Sequence, residues 1–124
     1  MIHLRSLMAF LLISTLTIIS CVKHAETTEE NLIAEWNSTA IKIDGVAAPS
    51  TSSMSLHLQS SKQYEITTTI TPFTHPKTGA WSINSAGDKL TLAGNVWTIH
   101  HIEGNTLRIA SVVDGRELEI DFAK

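Results

Sequence analysis

The sequence predicts an all-β domain: an antiparallel, up-and-down barrel of about eight short strands. Three observations point there. Beyond Asn31 no helical period is present, whereas apolar and polar residues alternate with period two in short runs. Glycine-bearing turns separate those runs at intervals of about 7 to 11 residues, the spacing of a sandwich or barrel. The connections are mostly too short for anything but hairpins between neighbours.

The first predicted strand runs over 32–43. Ala34 and Trp36 share one parity while Ile41 and Ile43 share the other, so the strand needs a bulge near 38–40 to keep both pairs on one face. Met54, Leu56 and Leu58 then alternate with Ser55, His57 and Gln59, and Tyr64, Ile66 and Ile70 alternate with Glu65 and threonines. Trp81/Ile83, Leu90/Leu92, Trp97/Ile99, Leu107/Ile109 and Leu118/Ile120/Phe122 continue the pattern, each with polar partners between. Turns are expected at 85–88, Gly94-Asn95, Gly104-Asn105 and Asp114-Gly115. These apolar positions, with Trp36 the first of them, form the expected inward set.

Two connections are longer, 44–53 (DGVAAPSTSS) and 71–78 (TPFTHPKT), and their prolines resist ladder pairing. Both read first as solvated linkers over the barrel rim. The sharper alternative is a lid over a cavity.

The N-terminus reads as an address. Met1 to Arg5 carries one positive charge, and Ser6 to Ile19 is apolar apart from Ser and Thr, which fits a secretory h-region better than a membrane span. Ile18-Ile19-Ser20-Cys21 at its end resembles the bacterial lipobox. That resemblance implies a lipoprotein signal peptide over 1–20, cleavage before Cys21, a thioether-linked lipid on Cys21 and acyl chains such as palmitate. Several chains suffice for a stable anchor at about 0.8 kcal/mol per buried methylene. Cys21 is the sole cysteine, so intrachain disulfides are excluded. The charged, aperiodic stretch that follows reads as a flexible tether, making 21–31 lipidated cysteine plus tether and 32–124 the domain. Val22 stands where an aspartate would favour retention at the inner membrane, so the resemblance to lipoproteins implies the outer one.

The remaining features mostly exclude. Loss of Arg5 with the signal peptide leaves eight Lys and Arg against twelve Asp and Glu, scattered singly, so no footprint for nucleic acid exists. Glu117, Glu119 and Asp121 share one face of the last strand at about 7 Å spacing, which would suit an inverting glycosidase. Leu118, Ile120 and Phe122 take the inward face, however, so the carboxylates point to water. His100-His101 cannot hold one ion on a regular strand, because neighbours face opposite ways, and no second Cys or His-x-His pair is present. No metal and no cofactor is expected. Without a G-x-S-x-G, P-loop or nucleotide fingerprint, neither is an enzyme.

Several short motifs carry a family resemblance. Gly79-Ala80-Trp81-Ser82-Ile83, Asp88-Lys89-Leu90-Thr91-Leu92, Trp97-Thr98-Ile99 and Asn105-Thr106-Leu107-Arg108-Ile109 resemble the successive strands of bacterial lipocalin-like (calycin-type) lipoproteins. Leu32-Ile33-Ala34-Glu35-Trp36 is similar to that family's opening motif. Ala34 stands where the family prefers glycine, and Ser61-Lys62 replaces its usual Asp-Gly turn. The resemblance implies a lipocalin-like barrel, which is just wide enough for one small ligand or for its own side chains. On the first option Trp36, Tyr64, Trp81, Trp97 and a rim His101, continuing the inward parity of Trp97 and Ile99, would line a site for a small hydrophobic ligand such as a fatty acyl chain. On the second, the domain is a non-catalytic interaction or inhibitor module for an envelope protein partner. An open apolar cup supports the first, and a filled barrel with an apolar outer patch supports the second.

Overall fold

A computed structural model describes residues 28–124. The signal peptide, Cys21 and the first part of the expected tether lie outside the described residues. Nine strands follow in chain order: β1 (Ala34–Ile43), β2 (Val46–Ala47), β3 (Met54–Leu58), β4 (Gln63–Thr68), β5 (Thr78–Ile83), β6 (Lys89–Leu92), β7 (Asn95–Glu103), β8 (Thr106–Val113) and β9 (Arg116–Ala123). All pairings are antiparallel between neighbours, and β1 also pairs with β9. Eight strands therefore close into a barrel with no free edge, while β2 only extends β1 as a short hairpin arm.

Closure depends on β1 serving two partners. Its first residues pair with β3, Trp36 opposite Leu56, and its later ones with β9, Ile41 opposite Ile120. Between them the register shifts at Ser38/Ala40, where the parity switch between Trp36 and Ile41 places the bulge. Two-residue loops join β1 to β2, β6 to β7 and β8 to β9, each with positive φ at both positions: Asp44-Gly45, Ala93-Gly94 and Asp114-Gly115. That pairing of left-handed residues is the hairpin turn whose twist matches the strands.

The expected inward side chains are buried, apart from Ile43, Ile83 and Ile99, which are half-buried. Leu32, Trp36, Leu58, Leu90, Leu92 and Ile120 lose all exposure. Two features of the chain differ from the sequence expectation. Residues 28–31, assigned there to the tether, form with Leu32 a helical turn that seals one end of the barrel. Thr28 and Leu32 are buried, and Glu29 forms an ion pair with Lys62. Burial of Leu32 against Trp36 holds this turn, which is far too short to persist alone.

The second difference is a bulge in β7 at Ile99/His101. It inserts one residue, so Ile102 rather than His101 pairs with the inward Leu107, and His101 lies opposite the outward Arg108. The expectation that His101 continues the inward parity is corrected accordingly: its side chain is exposed on the outer wall.

Candidate functional site

The four aromatic residues expected to line a pocket do converge inside the barrel, but as filling. Trp36 donates its indole N–H to the carbonyl of Leu32 (2.9 Å), and Lys124 Nζ stands 4.9 Å above its ring. Trp81 donates to the carbonyl of Gln59 (2.9 Å) under Lys62, whose Nζ is 4.5 Å from the ring centre. Tyr64 lies directly across the ladder from Gly79 and donates its hydroxyl to Pro76 O at 2.7 Å. Trp97 donates to Nε2 of His75 at 3.0 Å. Each polar handle thus has a partner within the chain, as buried amphipathic rings require. Burial pushes the Tyr64 phenol above its ordinary pKa, because the charged form would lose water.

An open cup would leave its lining exposed to solvent. Here Trp36, Tyr64, Trp97 and Phe122 are all less than 2 % exposed or at that bound, so the interior is packed. Beneath the rim a void of about 10 Å³ lies among Ile43, Ile70, Phe73, Val113 and Leu118, too small for any ligand.

The opposite end from the helical turn is closed by segment 70–77, which covers most of the connection 71–78 expected first as a solvated linker. It leaves β4, crosses the mouth to the β8–β9 hairpin and returns to β5. At the far side Arg116 donates to Pro72 O (3.1 Å), and Asp114 accepts from both the backbone N–H (3.1 Å) and the hydroxyl of Thr74. Those donors hold the Asp114 carboxyl below its ordinary range, with Arg116 adding to the effect. On the near side Ile66 N–H donates to Lys77 O at 2.7 Å. The segment is therefore a lid, and it rests on packed side chains instead of a cavity.

His75 is the residue the sequence reading missed. It is buried, stacks on Phe73 (5.7 Å between centroids, 20° between planes) and meets Trp97 and the edge of Tyr64. A histidine between two prolines in a polar loop carries no periodic signal of burial. The adjacent Phe73 is the one hint, since an aromatic in a loop usually has somewhere to pack.

The outer wall has a different character. His101 Nε2 donates to Thr106 Oγ1 (2.9 Å), whose hydroxyl donates on to Glu103 O, and Arg108 pairs with Asp121 at 2.5 Å. Glu117, Glu119 and Asp121 point outward, as alternation requires. Toward the lid end, β7 and β8 stop pairing at Thr98 and Ala110 although both strands continue. There Val96 is 53 % and Val112 is 69 % exposed, and Ser111 Oγ bridges to Val96 O at 2.8 Å. The parting opens a cleft of about 520 Å³ that Thr98, His100, Ala110 and Glu117 also line. Among the described residues no three His, Cys, Asp or Glu side chains come together as a metal cage. Comparison with known proteins finds no family model, no curated protein and no solved structure that matches this chain.

Proposed function

We propose that this chain is an envelope lipoprotein, held at a membrane by lipid on Cys21, whose barrel is a non-catalytic module that meets a protein partner through its outer wall. The observation that carries the reading is the contrast between the two faces. The interior is full and its indole and phenol donors are already paired, while two valines stand exposed together on the outside. Scattered exposed apolar residues need no explanation, but a pair flanking a cleft is the kind of feature interaction surfaces use. The address rests on Ile18-Ile19-Ser20-Cys21. Cys21 precedes Thr28 by seven residues, and the helical turn enters at the sealed end, so a lipid anchor there directs the lid end away from the membrane.

The test uses the full chain in its envelope. A photo-crosslinking residue at Val112 should give a discrete protein adduct, one at Thr67 on the opposite outer wall should not, and Val96→Asp should remove the adduct without lowering Tm. Equal labelling at both positions would count against the wall as an interface. Cys21→Ala should leave an uncleaved precursor without acyl label; a normally processed, labelled variant would end the lipoprotein part.

A second reading, a carrier for a fatty acyl chain, is favoured by one observation: the mouth is closed by a loop, not by strands. Fatty acids or lysolipids should then quench Trp97 and raise stability by about 2.7 kcal/mol at a hundredfold excess over Kd. A flat titration at near-millimolar ligand would dismiss it.

A further inference from the structure

We propose that segment 70–77 is an acid-released lid, latched shut by the neutral imidazole of His75 between Trp97 and Pro76. The argument begins with donors and acceptors. An indole N–H can only donate, so Nε2 of His75 must accept from it, and the ring's one proton is on Nδ1, which donates to Pro76 O at 2.8 Å. Both nitrogens are committed with one proton between them. A second proton would have to go on Nε2, where it would face the Trp97 N–H as donor against donor.

Among the described residues, the surroundings give that extra charge no counter-ion. Phe73, Tyr64 and Trp97 enclose the ring. The charged groups that meet the lid lie elsewhere on it: Asp114 holds Thr74, Arg116 holds Pro72 O, and Lys77 belongs to the lid itself. Stacking on Phe73 would favour a charged ring, but it does not relieve the opposed N–H groups. A protonated His75 must therefore leave its place toward solvent, where Thr71, Pro72, Thr74, Pro76 and Lys77 are exposed, and the lid follows as its anchors on Asp114, Arg116 and Ile66 release. Acid acts on the far anchor in the same direction, because protonating Asp114 removes an acceptor from Thr74.

Because the closed arrangement offers no acceptor for a second N–H on the ring, acid should favour the open lid. Opening bares the rings of Phe73, Tyr64 and Trp97. The device works at the lid end, apart from the cleft between β7 and β8, and does not depend on what that cleft binds.

The experiment follows the three indole N–H signals by NMR in the full lipidated chain in micelles, from about pH 8 to about pH 4, which spans the imidazole and carboxylate ranges. Trp97 should shift and broaden on acidification together with the Thr74 amide, while Trp36 and Trp81, bonded to carbonyls, should stay put. In His75→Gln, whose side-chain oxygen can accept from Trp97 without titrating, the Trp97 transition should vanish; in Asp114→Asn it should persist. The opposite pattern in those two variants, or a Trp97 signal as pH-insensitive as the others, would overturn the latch. If Trp36 and Trp81 report that His75→Gln has not folded, Trp97→Phe decides: removing the opposed donor should move the Thr74 transition to lower pH, and an unmoved transition is equally fatal.

Discussion

Gly79 and Tyr64 face each other across the β4–β5 ladder, and the tyrosine ring covers the space that a side chain on Gly79 would need. A Cβ there would stand 3.3 Å from the ring and 3.0 Å from the Cβ of Ala93, at a φ of +156° that side chains rarely adopt. The tyrosine cannot yield easily, since its hydroxyl is fixed by Pro76 O. Gly79→Ala should therefore destabilise the domain by about 1–3 kcal/mol, the range for overpacking a filled core. Thermal unfolding of the variant measures it, and an unchanged Tm would mean that the tyrosine is free to retreat.

The sealed end of the barrel should be more sensitive to truncation than its outer wall. Trp36 and Trp81 are buried to 0 % and 2 % exposure and pack at the sealed end, so truncating either to Ala should cost about 3–5 kcal/mol. Glu119 points outward on β9, and Glu119→Ala should change stability by less than about 0.5 kcal/mol. Denaturant midpoints for the three variants test the strand parity directly, and equal losses at all three would contradict it.

Parity is also where the sequence was most and least legible. The bulge at Ser38/Ala40 could be read because Trp36 and Ile41 are both large, apolar and of opposite parity, and only an extra residue reconciles them. The bulge at Ile99/His101 has the same signature, Trp97 and Ile99 followed by Ile102, but two histidines between them invite a chemical reading and hide the switch. The regular alternation then puts His101 at the rim, whereas it bonds Thr106 on the outer wall. The helical turn 28–32 is shorter than the window in which a helical period can show, so its polar letters resemble a tether. For the lid, what decides its place is a tertiary fit: His75 meets Trp97 across 22 positions of sequence, and no local pattern encodes that contact. The filling of the interior is legible only in part, because counting inward side chains does not say how they interdigitate.

Turn chemistry leaves one position open to improvement. Ala93 occupies the first site of the β6–β7 hairpin turn at φ +49°, a left-handed conformation that costs an alanine about 1 kcal/mol and that asparagine tolerates better. The side chain is exposed, so little packing constrains the change. Ala93→Asn should raise stability by about 0.5–1 kcal/mol, visible as a higher Tm with unchanged denaturant slope. A fall in Tm would show that the larger side chain is crowded at this turn.

Tyr64 should give the domain an alkaline limit of its own. The phenol is buried and donates to Pro76 O, so the folded state favours its protonated form and holds its pKa above the ordinary value near 10. As pH rises past that ordinary value, the unfolded chain loses this proton first and thereafter binds fewer protons than the folded one. Stability then falls with pH, the contribution being complete below the unfolded pKa and lost by the time the folded pKa is passed. Tyr64→Phe removes the titration, and its cost at neutral pH should be only about 0.5–1.5 kcal/mol, because Pro76 O keeps its second donor, Nδ1 of His75. Denaturant unfolding of parent and variant from neutral pH to about 11 tests this, since the range crosses the tyrosine pKa. The two stabilities should converge as the parent loses its advantage; parallel curves across that range would show that the phenol does not titrate with unfolding.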